Sequence, residues 1–341
     1  MALKIAINGF GRIGRLVLRG IIESGRTDVE PILINDLGSI EANAHLLKYD
    51  TVHGRFKGEI EVVDGALHIT GLDGRKYAPI RVTAHRNPEE VPLEGIDVAM
   101  ECTGLFTTKE KASALLKAGA KHVLVSAPCT DADATIVYGV NNDALKPGMK
   151  VVSNASCTTN CLAPVAKTLD DAFGIDYGYM VTVHSYTGDQ RTVDTLHKDL
   201  RRARAAALNM IPTKTGAARA VGLVLPNLKG RLDGTAIRVP TANVSVVSLD
   251  VLFKNAPKSV EEVNEVIKKA TQSGPLKGIL SYNDEALVSS DFLHTIYSSN
   301  FDATQTAVLG DGKLIRICSW YDNEWGFSNR MADTATLFAK L

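Results

Sequence analysis

Leu3-Lys4-Ile5-Ala6-Ile7-Asn8-Gly9-Phe10-Gly11-Arg12-Ile13-Gly14 decides how the first half of this chain folds. Leu3–Ile7 is a short apolar run that predicts a buried strand. Gly11–Ile22 carries apolar residues at helical spacing. The glycines between them allow a tight turn, a close approach of backbone to a ligand, and contact between helix and strand. The helix start offers its N–H groups to phosphate. GxGxxG alone is a weak signal, and a ligand-free turn in an α/β domain competes with it. Here a strand precedes the motif and a helix follows it. Asp36 ends a second strand, Val29–Ile34, at about the expected distance. A carboxylate there can accept from ribose hydroxyls and repel a 2′-phosphate, so the expected cofactor is NAD rather than NADP. Gly9, Gly11, Gly14 and Asp36 are the first candidate site residues.

Working outward, the strand and helix patterns keep alternating. Ile96–Glu101 and His122–Ser126 read as buried strands, with an Ala/Leu/Lys helix, Lys109–Ala118, between them. That order predicts a parallel sheet with helices on its faces. Glu59–Thr70, with turns at Asp64-Gly65 and Asp73-Gly74, reads as an antiparallel hairpin insertion. Beyond a junction near residue 150 the pattern changes. Gly178–His184, Gly234–Val239, Val244–Phe253, Thr304–Leu309 and Lys313–Trp320 are strand-like. The strong helix among them is Val260–Ala270, with Ser259 as N-cap. A mostly antiparallel sheet covered by helices is expected there. Asn329–Leu341 reads as a closing amphipathic helix.

The chain has 341 residues, enough at roughly 150 per domain for about two domains. It carries 38 basic and 38 acidic side chains, which gives no electrostatic case for nucleic acid or an acidic membrane as main partner. Five cysteines without framework spacing point to free thiols in a reducing compartment. No apolar run approaches the roughly 18 residues of a membrane span, and no metal-ligand spacing stands out. A cytoplasmic protein is expected, with no nucleic acid, membrane or metal as partner.

The second informative stretch is Ser156-Cys157-Thr158-Thr159-Asn160-Cys161. It follows a strand-like run, Met149–Ser153, and opens a helical pattern, Leu162–Leu169. A cysteine at a helix start sits where N–H groups and the dipole favour a thiolate, the nucleophilic form. Cys157 is therefore the candidate nucleophile. Cys161 lies one turn further in, where the dipole effect fades, and reads as structural. Cys102, Cys129 and Cys318, in or beside apolar strand patterns, read as small buried hydrophobes. Of eight histidines, His184 is the candidate base. It ends the strand Tyr179–Val183, and Ser185-Tyr186-Thr187-Gly188-Asp189-Gln190 behind it is dense in hydrogen-bonding groups. His53 and His197 are rivals. Arg238, a charge inside a β-branched run, wants a carboxylate or phosphate partner.

With these residues assembled, the chain resembles the phosphorylating glyceraldehyde-3-phosphate dehydrogenases. The likeness runs from Ile7-Asn8-Gly9-Phe10-Gly11-Arg12-Ile13-Gly14-Arg15 to Trp320-Tyr321-Asp322-Asn323-Glu324-Trp325-Gly326. Its core, Ala155-Ser156-Cys157-Thr158-Thr159-Asn160-Cys161-Leu162-Ala163-Pro164, resembles the family signature. The resemblance implies an α/β chain with two domains. Residues 1–156 would form a Rossmann-type NAD-binding domain, with the C-terminal helix 323–341 packing back onto it. Residues 157–322 would form a catalytic domain with a mostly antiparallel sheet. A homotetramer acting in glycolysis is implied as well.

By the same resemblance, Cys157 is the nucleophile and His184 its base. Arg12, Ile13, Asp36, Arg86, Ser126 and Asn323 contact NAD. Ser156, Thr158, Thr215 and Gly216 line one anion site, with Arg202 nearby; Thr187 and Arg238 line the other. The implied substrates are glyceraldehyde 3-phosphate and inorganic phosphate. The implied route runs through a hemithioacetal and a thioester on Cys157 to 1,3-bisphosphoglycerate. One departure stands before His197, where Thr195-Leu196 takes the place of the Leu-Pro of many NAD-specific members of the family and of the Ala-Ser of its chloroplast dual-specificity members. Two other readings compete. One is erythrose-4-phosphate dehydrogenase, against which Ser185-Tyr186-Thr187-Gly188 and Pro212-Thr213-Lys214-Thr215-Gly216 weigh. The other is a cysteine hydrolase, which would leave the glycine-rich turn unexplained.

Overall fold

The computed structural model describes residues 2–338 and 340. Its contacts fall into two compact units. The first holds the residues up to Tyr138, Asn142–Ala155 and those from Ser328 on. The second holds Gly139–Asn141 and Ser156–Phe327.

The first unit is built on a nine-stranded sheet. Its order is Ala134–Thr135, Val151–Ser153, His122–Val125, Val98–Glu101, Leu3–Asn8, Val29–Asn35, Ile80–Thr83, Ala66–Gly71 and Gly58–Val63. The first seven pair in parallel; the last two add an antiparallel hairpin at one edge. Asp64 and Gly65 turn that hairpin with φ of 47° and 75°, the left-handed pair a two-residue connection needs. Arg12–Glu23 is the first crossover helix, and Leu16, Val17, Leu18, Ile21 and Ile22 bury its sheet-facing side. The expected helix Lys109–Ala118 is instead two short pieces, Lys109–Ala112 and Ala114–Lys117. At the break, Ser113 Oγ donates to the Lys109 carbonyl at 2.7 Å, the back-bond that bends helices. The closing helix is Trp325–Phe338, and positions 339 and 341 of the expected segment lie outside the described residues. Thr334 Oγ1 donates to Asn154 Oδ1 at 2.8 Å, and the Phe338 ring lies 4.5 Å from that of His122.

The second unit carries a seven-stranded sheet, in the order Ile211–Lys214, Leu232–Val239, Ile175–Ser185, Ser245–Phe253, Leu314–Tyr321, Ser299–Leu309 and Leu280–Asn283. Leu232–Val239 pairs in parallel with Ile175–Ser185, as does Leu280–Asn283 with Ser299–Leu309; the other pairings are antiparallel. The sheet is thus mixed and largely antiparallel. Cys157–Phe173 packs against four of its strands, and Val260–Gln272 and Ala217–Val224 flank that helix. Ala217–Val224 was not foreseen. It has only eight residues and apolar side chains around most of its circumference, so no stripe marks it in the sequence.

Candidate active site

In the first unit the glycine turn is shaped by contact. Gly9 has φ of 92°. A Cβ on Gly14 would lie 2.1 Å from the Gly9 carbonyl oxygen, so the turn and helix can cross only with glycine there. A Cβ on Gly11 would meet nothing within 4 Å. Space therefore stands open at the start of Arg12–Glu23, where no side chain caps the helix. It continues into a cleft of about 310 Å³ bounded by Gly9, Gly11, Asp36 and Arg86, with Cys102 and Thr103 in its wall. Asp36 accepts the Phe10 N–H at 2.8 Å and the Gly38 N–H at 2.9 Å, and its two oxygens keep further accepting capacity. Backbone donors at a helix start, open space over a glycine and a carboxylate at the rim suit a pyrophosphate and a ribose.

A buried polar chain supports this cleft. Asn8 Nδ2 donates to Glu101 at 2.6 Å, and Asn35 Nδ2 donates to Asn8 Oδ1 at 2.8 Å and to the His85 carbonyl at 2.9 Å. Three strand ends and the loop carrying Arg86 are tied by it. Burial pushes the Glu101 carboxyl up against the pull of its donors. The guanidinium of Arg12 pairs with Asp50. Burial works against the Asp50 charge, but the His53 N–H and Arg12 outweigh it and hold the carboxyl down at about 2. Arg12 is thus committed to a carboxylate, and Ile13 follows it in the same helical turn. Ser126 follows the strand His122–Val125, and its N–H donates to the Glu101 carbonyl at 2.9 Å. Burial pushes the Cys102 thiol up to about 12. Cys102 is only half-buried and stands in the cleft wall, which departs from the buried packing role expected for it, while Cys129 and Cys318 are buried.

In the second unit Cys157 is the first residue of Cys157–Phe173. Ser156 caps this helix, its Oγ accepting the Thr159 N–H at 3.1 Å. Ala155, just before, has φ of 58°, an uncommon value for a residue with a Cβ and one that turns the chain sharply. Cys157 Sγ stands 3.6 Å from His184 Nε2. The ring of His184 is buried near the end of Ile175–Ser185. Its Nδ1 lies 2.7 Å from the Ser185 carbonyl, which also accepts from Arg238 Nη1 at 2.9 Å; Nη1 is itself 2.7 Å from Nδ1. The carbonyl only accepts and calls for a proton on Nδ1, whereas the guanidinium only donates and calls for a lone pair there; of the two tautomers, the one with the proton on Nδ1 leaves the Nε2 lone pair facing sulfur.

Electrostatics corrects one expectation. Burial pushes the Cys157 thiol up, and Arg238 and the Thr158 N–H do not cancel the effect. The helix start alone therefore does not supply the preformed thiolate expected from the sequence. Burial, aided by the Arg238 charge, also drives His184 down to about 3. Each group by itself favours its neutral form. One proton moved from Sγ to Nε2 creates two opposite charges side by side, whose attraction offsets what burial takes from each.

The remaining candidates surround this pair. Thr158 Oγ1 is 2.8 Å from the hydroxyl of Tyr321, which also meets Thr182 Oγ1 at 2.8 Å. The Tyr321 ring stands edge-on to His184 with centroids 5.9 Å apart. Thr187 donates through its N–H and its hydroxyl to Gln190 Oε1. Arg202 pairs with Asp189, and its Nε donates to Thr213 Oγ1 at 2.9 Å. Arg202 and Arg238 both act on His184, so the two cations share its neighbourhood. Arg238 Nε is buried without a partner. No carboxylate pairs with Arg238 among the described residues, unlike Arg202. Thr215 Oγ1 accepts the Ala217 N–H at 3.2 Å, and Gly216 caps Ala217–Val224. Asn323 is buried, with its Oδ1 accepting from Ser185 and Ser245. Tyr321, Asp189 and Ser245 were not foreseen. Tyr321 stood inside the quoted stretch Trp320–Gly326, the one sequence signal that could have marked it. Cys161 is buried, with Sγ 3.6 Å from Ser299 Oγ, and burial pushes its thiol up to about 12.

Comparison with known proteins agrees in both units. Residues 3–109 match the model for the glyceraldehyde 3-phosphate dehydrogenase NAD binding domain, and residues 156–323 match the model for the C-terminal domain. The chain is 63% identical to a glyceraldehyde-3-phosphate dehydrogenase of Cereibacter sphaeroides, with the whole of each chain covered. It is 61% identical to the enzyme of that name from Xanthobacter flavus, again over both whole chains. Against that of Geobacillus stearothermophilus it is 52% identical over 99% of each. A glycine-turn cleft, a cysteine–histidine pair and this likeness over the full length lead to one conclusion: the chain belongs to the glyceraldehyde-3-phosphate dehydrogenase family.

Proposed function

We infer that the protein catalyses the NAD-dependent oxidative phosphorylation of glyceraldehyde 3-phosphate. The observation that carries this reading is Cys157 Sγ 3.6 Å from His184 Nε2 at a helix start. Cys157 adds to the aldehyde carbon as its proton passes to Nε2, giving a hemithioacetal. The Cys157 N–H, at the first position of its helix, is placed to donate to the developing oxyanion. His184 hands that proton to the oxyanion, completing the hydroxyl of the hemithioacetal, and its freed Nε2 takes it back as the hydride leaves, with the Ser185 carbonyl beside Nδ1 holding the ring in register. Bound NAD supplies the acceptor for the hydride released at this step. Inorganic phosphate attacks the resulting thioester, forming the acyl phosphate 1,3-bisphosphoglycerate and returning Cys157 as thiolate. A thioester suits this role because it keeps the acyl group activated for transfer to phosphate.

For the cofactor, Gly9, Gly11, Arg12, Ile13 and Gly14 would hold the pyrophosphate and Asp36 the adenosine ribose. Arg86 and Ser126 would take other parts of the dinucleotide, and Asn323 the nicotinamide carboxamide. For anions, Arg238 with Thr187 and the set Ser156, Thr158, Thr215 and Gly216, with Arg202 nearby, would receive the two phosphates. Arg238 suits this role best, being half-buried, with its Nε unpartnered and no carboxylate paired with it among the described residues. The hydroxyl of Thr158 is held by Tyr321, so an anion there would meet its N–H. Residues 1–156 with 323–341 would act as the dinucleotide domain and 157–322 as the catalytic domain. The working form would be a cytoplasmic homotetramer. Among the described residues no helix is long and apolar enough to cross a membrane.

The test is NADH formation at 340 nm from enzyme, NAD, glyceraldehyde 3-phosphate and inorganic phosphate, the wavelength being about the usual one for a reduced nicotinamide. Without phosphate, absorbance should stop after a burst of about one equivalent per Cys157, because the thioester has no acceptor. Undiminished multiple turnover without phosphate would remove the acyl-phosphate step.

A further inference from the structure

Asn323 stands out because one half of its amide is held by two hydroxyls and the other half by no partner among the described residues. Ser185 Oγ is 2.8 Å and Ser245 Oγ 2.9 Å from Asn323 Oδ1. Asn323 is 5% exposed, Ser185 0% and Ser245 1%. The Ser185 N–H donates to Ser245 Oγ at 3.0 Å, so the Ser245 proton is free to go to Asn323. Reversing the amide would set its NH2 against both hydroxyl oxygens. The two hydroxyls are 3.4 Å apart, so at most one of their protons could then find an acceptor in the other. Buried hydroxyl protons without acceptors are costly. The hydrogen-bond count therefore fixes oxygen toward the serines and nitrogen away from them. That nitrogen has no protein partner among the described residues and is not sealed from solvent.

We propose that Ser185 and Ser245 are positioning residues that hold the Asn323 amide as a fixed hydrogen-bond donor for the carboxamide oxygen of nicotinamide. This rests on the reading above that Asn323 meets the nicotinamide. The brace lies on the end of Ile175–Ser185 and the start of Ser245–Phe253, neighbouring antiparallel strands. Ser185 serves twice: its carbonyl holds His184 Nδ1 and its hydroxyl holds Asn323. One residue thus orients both the proton acceptor and the group that aims the hydride acceptor. Such preorganisation matters because an amide free to rotate would present its carbonyl to the carboxamide oxygen part of the time, acceptor against acceptor.

The experiment titrates the full-length enzyme and its variants with NAD and, separately, with adenosine diphosphoribose, which lacks the nicotinamide. Ser185→Ala and Ser245→Ala should each weaken NAD binding about three- to tenfold, the size of one lost or misdirected hydrogen bond. Adenosine diphosphoribose should bind each variant within about twofold of wild type. Asn323→Ala, as benchmark, should weaken NAD at least as much and leave adenosine diphosphoribose equally untouched. If Asn323→Ala weakens NAD while both serine variants bind it normally, the brace is wrong and the Asn323 reading survives. If Asn323→Ala leaves NAD unchanged, the reading and the brace fall together. Equal weakening of both ligands in the serine variants would reduce the hydroxyls to packing and overturn the proposal. Both hydroxyls serve the same oxygen, so either variant carries the test if the other does not fold.

Discussion

The glycine-turn cleft and the cysteine–histidine pair are built on opposite principles. The cleft is made of backbone: a helix start, a glycine with nothing over it, and a carboxylate spent partly on holding its own loop. Its glycines and Asp36 fall within one strand–helix–strand stretch, with Arg86, Cys102 and Thr103 completing the wall from later strand ends. The pair is made of a half-buried thiol and a buried imidazole carried by different elements. Cys157 and His184 are 27 positions apart, and the Ser185–Asn323 contact spans 138. A site of backbone donors tolerates wide chemistry in its side chains and fails by steric intrusion. A site of buried, mutually charged side chains fails when one partner is removed, because the other is left in surroundings that disfavour its reactive form.

The largest effect should fall on Cys157. Cys157→Ser removes the nucleophile, and kcat should drop by about four orders of magnitude or more. NAD titration should be unchanged, since the cleft lies on other residues. Cys161→Ser should keep most activity. Its hydroxyl would find the Ser319 carbonyl, now 3.7 Å from the sulfur, as acceptor. Similar losses in the two variants would show that the second cysteine is not the packing residue its burial makes it.

Next comes His184→Asn, expected to lower kcat by roughly two to four orders of magnitude. The sharper readout is the rate at which iodoacetamide alkylates Cys157 across pH. In the wild type the thiolate forms with the imidazolium as a pair. Without the imidazole, burial outweighs Arg238 and the helix-start N–H groups and holds the thiol above its ordinary value. A group with a raised pKa loses its proton only at higher pH, so the variant's alkylation rate should rise late, in the alkaline range. At neutral pH it should fall well below that of wild type. An unchanged profile would mean that the helix start and Arg238 suffice, and that the pair is not coupled as its geometry requires.

This contrast also explains what could be read from the sequence. The first unit was legible because its signal is contiguous: strand, glycine turn, helix and Asp36 fall in the first 36 residues. Cys157 was legible for the same reason, being a helix start after a strand. His184 and Arg238 could be picked out because a strand end dense in polar groups and a charge in a β-branched run are both unusual. Ser245 carries no such mark, and Tyr321 only its place in the stretch Trp320–Gly326, since a serine or tyrosine in an alternating strand looks like any other. Their roles come from register: Thr182 and Val183 pair with Val247 and Val246, and Ser245 pairs with Tyr321. Register is set by the assembled sheet and not by any one segment. The effect of burial on Cys157 escapes the sequence for a related reason. The dipole is a local property readable at the helix start, whereas burial belongs to the whole fold.

The smallest effect tests the cleft, and it turns on two glycines that look alike in sequence. Gly14→Ala would put a Cβ 2.1 Å from the Gly9 carbonyl oxygen, a clash with backbone that must move the turn. It should cost stability and NAD binding together, visible as a lowered melting temperature in the enzyme without ligand. Gly11→Ala meets nothing within 4 Å, and Gly11 is at φ of −69°, which alanine adopts freely. Its methyl occupies only space that a ligand would use. The melting temperature should stay within about 2 °C of wild type, as for a surface substitution of under roughly 0.5 kcal/mol. NAD should nonetheless bind about tenfold more weakly, the pyrophosphate being held off the helix start by a methyl group. Measuring both quantities for both variants separates a turn that must be glycine to fold from one that must be glycine to bind. If Gly11→Ala left NAD affinity intact, the open space over that helix would not be where the dinucleotide lies.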